Sequence, residues 1–190
     1  MEYNHLNLDT YDDFSDPGTV VLTSGNALAE LSPTGAEPRA WRCDGQPILW
    51  NPRPEFWPGV APILFPVCGA TQDDTVRHGG RTAPMPLHGF AKDTRFTLSS
   101  RRTDSATLTL SDSSATHSAF PYAFRLKVRY DLTEDSLTQT FTLENTGEAA
   151  MPYSLGVHPG FDLPADTGNI SFEQNERPEI AVLEGRYFTD

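Results

Sequence analysis

Phe124-Arg125-Leu126-Lys127-Val128-Arg129-Tyr130-Asp131-Leu132 alternates without a break between apolar and charged side chains. Successive side chains of a strand point to opposite faces, so this stretch predicts a half-buried β-strand with its five apolar residues inward. Thr133-Glu134-Asp135 follows as a turn, and Leu137, Phe141 and Leu143 then share one face of a second strand. Asn145-Thr146-Gly147 supplies another turn. Met151, Tyr153, Leu155 and Val157 predict a third strand, which would complete an antiparallel meander.

The same period recurs upstream. Phe96 and Leu98 lead through a polar turn near Arg102 to Ala106, Leu108 and Leu110. Short strands are predicted at Val20 to Leu22, Ala27 to Leu31 and Pro38 to Arg42, around Gly25 and Gly35. Sixteen prolines and fourteen glycines in 190 residues leave few windows for a helix. From Trp50 to Gly69, Pro52, Pro54, Pro58, Pro62 and Pro66 interrupt ladder hydrogen bonding, so a long ordered loop carrying Trp50, Phe56 and Trp57 is expected. Short strands at regular spacing indicate an all-β sandwich or barrel. Residues 1–18 are expected to form a flexible N-terminal tail, and residues 19–190 one β-sandwich domain.

The formal net charge of −12, from 26 acidic and 14 basic side chains, opposes binding to phosphate backbones or anionic membranes. A neutral small molecule suits this field better. Met1 to Pro17 carries Glu2, Asp9, Asp12, Asp13 and Asp16 and no apolar run of the kind a secretory signal needs. No segment reaches the length of a membrane span. Cys43 and Cys68 form neither a disulfide framework nor a Cys-x-x-Cys pair, so two reduced thiols and a cytoplasmic location are expected.

Two histidines stand among glycine and proline, in Leu87-His88-Gly89-Phe90-Ala91-Lys92 and in Gly156-Val157-His158-Pro159-Gly160-Phe161. Such surroundings shape backbone around a pocket and admit a ligand closely. By parity His158 leaves the strand opposite Met151, Tyr153, Leu155 and Val157, with open space expected beside Gly156. The plain alternative is that His158 only caps the strand through its backbone and that His88 is a hydrogen-bonded loop residue. A zinc site would need His88, His158 and His78 to converge, and no short-range ligand spacing supports it, so no metal is expected.

These motifs, with Trp57-Pro58-Gly59-Val60-Ala61-Pro62-Ile63-Leu64-Phe65-Pro66 before them and Phe120-Pro121-Tyr122-Ala123-Phe124-Arg125-Leu126 between them, resemble the aldose 1-epimerase family, and within it the short bacterial mutarotase-like branch. The resemblance runs from about Val20 to the end of the chain. It implies a galactose mutarotase-like β-supersandwich, incomplete at the C-terminus, of which this chain is the N-terminal two-thirds. It further implies interconversion of the α and β anomers of a hexose by general acid–base ring opening, without metal or organic cofactor. His158 matches the family's general acid, and His88 the second active-site histidine, which orients the sugar. Trp57 and Phe161 can offer faces to the sugar, although ordinary packing explains either one alone.

Two departures qualify this. Ala70 stands where many relatives carry a basic residue, which leans against a sugar phosphate unless Arg77 or Arg81 substitutes. No match to the family's basic glutamate is found; Glu173, Glu176, Glu179 and Glu184 read as solvated loop charges. The chain is therefore expected to be impaired or incomplete as an epimerase. Two alternatives stay open beside free-hexose epimerisation: a hexose-6-phosphate 1-epimerase, and a non-catalytic carbohydrate-binding β-sandwich. A purely structural or partner-binding β-sandwich is a third. Oligomeric state is not encoded in any feature of the sequence.

Overall fold

The computed structural model describes residues 17–163, 171, 173, 182–184 and 187–189. Of the expected tail, residues 1–16 lie outside the described residues, while Arg95 donates a hydrogen bond to the Pro17 carbonyl.

The alternating stretch is strand β10, Phe124–Leu132, as its period predicts. It forms the centre of a four-stranded antiparallel sheet with β11 (Leu137–Asn145), β9 (Ser105–Ser111) and β8 (Thr97–Arg101), ordered β11-β10-β9-β8. Register places Leu126 between Leu110 and Leu143, and Val128 between Leu108 and Phe141, so apolar side chains form rows across one face. A second antiparallel sheet runs β1-β2-β3-β4, from Val20–Ser24, Ala27–Leu31, Pro38–Cys43 and Gln46–Pro47. Its Val20, Leu22, Ala29 and Leu31 join Leu108, Leu126 and Val128 of the first sheet in one core. The molecule is thus mostly β, a two-layer sandwich, as the strand pattern predicted. Each large apolar side chain buried there contributes about 1.5–3 kcal/mol.

Among the described residues Tyr130 is the one fully buried phenol of that core. Its hydroxyl donates to the Ala36 carbonyl at 2.7 Å while accepting from the Gln139 amide. Burial pushes its ionisation far above the ordinary phenol range, so it stays neutral and ties the two sheets together.

The meander expectation fails at its third strand. Only Gly156–Val157 is a strand (β12), and it pairs with β5 (Ile63–Leu64) rather than with β11. Pro152 cannot donate to a ladder, and the Ser154 amide reaches the Pro66 carbonyl at 2.8 Å, so the chain leaves the β11 edge. Tyr153 and Val157 are 53% and 46% exposed, so the apolar row does not pack as a unit. The proline-rich segment is likewise more than a loop, because Ile63, Leu64 and Phe65 are buried and β5 lies within it.

Two further elements were not expected. Thr75–His78 (β6) and Arg81–Pro84 (β7) form a hairpin around Gly79-Gly80. Ser114–Ala119 forms a short helix, α1, whose first turn is closed by reciprocal hydrogen bonds between Ser113 and Thr116. Near the C-terminus, Val182–Glu184 (β13) and Tyr187–Thr189 (β14) pair with each other.

Candidate active site

The proline-rich segment is held on both sides by the two histidine motifs. On one side, the Phe65 amide donates to the His88 carbonyl at 3.2 Å, and the Phe65 carbonyl accepts from the amides of Phe90 and Ala91 at 3.0 and 3.1 Å. On the other, β12 pairs with β5, and the His158 amide donates to the Pro62 carbonyl at 3.1 Å. The Gly160 amide adds a bond to the Val60 carbonyl at 2.7 Å. Two segments 70 residues apart are thereby drawn together, and the His88 and His158 ring centroids lie 6.1 Å from each other.

His88 adopts φ +66°, a conformation that costs a non-glycine residue of order 1–3 kcal/mol and persists where its surroundings enforce it. The enforcing contacts are main-chain. Its amide donates to the Gly69 carbonyl at 2.9 Å, and the Gly69 amide donates to its Nδ1, also at 2.9 Å. An Nδ1 that accepts cannot carry a proton, so the proton of the neutral ring sits on Nε2 and serves as a donor. Burial lowers the His88 pKa below its ordinary 6.5, and the neighbouring His158 and Lys92 lower it further. At neutral pH His88 is therefore an uncharged donor, suited to a sugar hydroxyl.

The sign of the shift fixes a pH response. The unfolded ring takes its proton as pH falls through about 6.5, whereas the folded ring resists until a lower pH. The stability His88 contributes is thus present above that window and lost as pH falls through it. In a proton NMR titration, the His88 ring signal should show a midpoint below 6.5, and the Gly69 amide should shift with the same midpoint. A midpoint at or above that value would contradict the accepting role of Nδ1.

His158 is exposed, and its ring stacks at 38° on Trp57 with centroids 5.0 Å apart. Among the described residues no side chain hydrogen-bonds its imidazole, so both nitrogens are available to a ligand. Trp57 is fixed in turn. Its amide reaches the Arg53 carbonyl at 2.8 Å, and its carbonyl accepts from Trp50 Nε1 at 3.2 Å. A Cβ at Gly160 would lie 2.8 Å from both Trp50 and Trp57, so this glycine serves close packing of the tryptophans. The open space expected beside Gly156 is not there: a Cβ on it would meet Cys68 Sγ at 3.0 Å. Trp50, Cys68 and the Gly69 amide belong to the site's framework, and sequence motifs did not single them out for it.

The structure brings His88, His158 and Trp57 together, but neither Phe161 nor Arg81. Val157, Pro159 and Phe161 face the opposite side of their segment from His158, where they line a separate groove with Trp41, Leu49 and Tyr130. Arg81 lies on β7 and lines a cavity with His78 and His117. His78, the third histidine of the zinc alternative, has its Nδ1 2.8 Å from the Tyr122 hydroxyl. Among the described residues no three His, Cys, Asp or Glu side chains are grouped to hold a metal. No helix among them is long and apolar enough to cross a membrane. Glu173 is exposed, whereas Glu176, Glu179 and the side chain of Glu184 lie outside the described residues.

Comparison with known proteins accords with this architecture. A galactose mutarotase related enzyme from Lactobacillus acidophilus superposes with a TM-score of 0.74 at 29% identity, over 80% of this chain and 51% of that one. A galactose mutarotase-like protein from Lactobacillus casei gives 0.73 at 34% identity, over 78% and 52%. A Synechocystis protein gives 0.73 at 35% identity, over 88% and 60%. The plasmid-borne LacX protein of Lactococcus lactis is 34% identical over 103 residues, which are 52% of this chain and 34% of LacX. The chain thus spans about half the length of the solved relatives it matches, and about a third of LacX. The aldose 1-epimerase family model matches residues 18–184. With its sandwich of the galactose mutarotase-like type, this chain belongs to the aldose 1-epimerase family.

Proposed function

We propose that this chain carries the sugar-binding and proton-donating part of an aldose 1-epimerase acting on a hexose, with residues 19–190 working as one domain. The observation that supports this reading is the 6.1 Å pairing of His88 and His158, one ring with its tautomer set and the other open to a ligand. His88 Nε2–H holds a hydroxyl next to the anomeric carbon. His158 delivers a proton to the ring oxygen as the C1–O bond breaks, while a base takes the anomeric hydroxyl proton. The resulting aldehyde rotates about C1–C2 and recloses as either anomer, returning the proton to His158. Trp57 holds the His158 ring in place.

Polarimetry on freshly dissolved α-glucose and α-galactose tests this. The full chain should hasten mutarotation, by less than a protein that also supplies the base, and His158→Ala should remove that acceleration. An undiminished rate in the variant would refute the role of His158. A second reading, a carbohydrate-binding domain without turnover, is favoured by one observation: among the described residues no carboxylate hydrogen-bonds or ion-pairs with either His88 or His158. That reading predicts saturable hexose binding with no acceleration.

A further inference from the structure

Hairpin β6–β7 and helix α1 frame two adjoining cavities, of about 350 and 290 Å³, to which neither active-site histidine contributes. They share Val76, His78, Ala119 and Pro121. The larger is mostly apolar, with Val67, Met85, Phe120 and Tyr153 in its wall. The smaller gathers His78, Arg81 and His117. The two linings include Arg77 and Arg81 and no carboxylate, in a chain whose net charge is −12.

The polar groups are arranged around the recess. His78 and Arg81 are cross-strand partners beside the Gly79-Gly80 turn. Tyr122 holds the His78 ring through Nδ1, with ring centroids 4.9 Å apart, and with the phenol donating, the His78 proton sits on Nε2. His117 Nε2 lies 2.9 Å from the Asp112 carboxylate, the acidic group that orients it. Neither Arg77, on the wall of the larger cavity, nor Arg81 has an ion-pair partner among the described residues. A planar guanidinium beside an oriented imidazole offers the converging donors that a phosphoryl group accepts.

We propose that this recess binds a phosphate monoester, with the phosphoryl group held by the Arg81 guanidinium and the His78 Nε2–H and the organic part in the apolar cavity beside it. The proposal does not depend on the anomer chemistry at His158, and its failure would leave that reading untouched. Isothermal titration of the full chain with inorganic phosphate and with phenyl phosphate tests it.

Saturable binding of millimolar order or tighter is expected, with Arg81→Gln and His78→Gln each weakening it by about tenfold. His158→Ala should leave this affinity unchanged. Equal affinity for the two probes would overturn the assignment of the larger cavity to the organic part, and tighter binding of phenyl phosphate supports it. Absence of saturation by about 10 mM would overturn the whole proposal. So would an equal loss in Arg125→Gln, which removes one charge from β10, a strand that lines neither cavity, and would show that overall charge alone is at work.

Discussion

Gly89→Ala is expected to keep the chain from reaching its native state, with loss of the cooperative thermal transition and of the near-ultraviolet aromatic signal. Gly89 has φ +76°, and a Cβ built on it lies 2.2 Å from the Phe65 carbonyl oxygen and 2.4 Å from the carbonyl carbon. Real Cβ atoms do not approach backbone so closely, so one strand of chain must move away. Phe65 cannot yield cheaply, since its amide and carbonyl together make three hydrogen bonds to residues 88, 90 and 91. Breaking that lattice costs more than about 4 kcal/mol, a large share of the 5–15 kcal/mol that holds a typical domain folded. Gly79→Ala is the matched comparison. Gly79 also has positive φ, +54°, but nothing lies within 4 Å of its Cβ position, so a loss of only about 1–2 kcal/mol is expected. Equal effects at the two glycines would show that conformational strain, not the approach to Phe65, dominates.

Phe65→Ala should cost about 3–5 kcal/mol, measured as a lower urea midpoint at unchanged slope. The Phe65 ring is fully buried and meets Phe124, Phe120, Phe90 and Tyr153 at centroid distances of 5.2, 5.8, 6.1 and 6.4 Å. Removing it opens a cavity between the His88 loop and the β10 sheet, and four rings lose an edge or face contact together. Leu98→Ala provides the scale: at 42% exposure its loss should stay within about 0.5 kcal/mol. A cost below about 1 kcal/mol at Phe65 would mean that the cluster refills the space by itself.

Legibility in the sequence followed the range of the interactions. The partnership of Phe124–Leu132 with Leu137–Asn145 depends on neighbours joined by a short turn, and alternation alone located both strands. The partner of Gly156–Val157 is Ile63–Leu64, far back along the chain and inside a proline-rich stretch, so no local period could reveal it. The β6–β7 hairpin did carry a local signal, a Gly-Gly pair between two short runs, which the polar character of Arg77, His78 and Arg81 obscured. Helix α1 is six residues long and closes its first turn with threonine where glutamate or glutamine is the usual cue. Within the candidate site, the glycine-proline settings single out His88 and His158, whereas their roles come only from the family resemblance. Phe161 does not join them, because with Val157 and Pro159 it lines a groove to which His158 does not contribute. The side of His88 that bears its proton depends on the peptide of Gly69, 19 residues away, and side-chain identity is silent about it.

That last dependence has an evolutionary consequence. Because the orientation of this imidazole is set by peptide groups, any residue that keeps the local path of the chain keeps the proton on the same nitrogen. The side chain of Ala70 can therefore drift among descendants while the donor itself stays where it was. A change that displaces the Gly69 peptide would have the reverse effect, releasing the donor's orientation while the imidazole itself is retained.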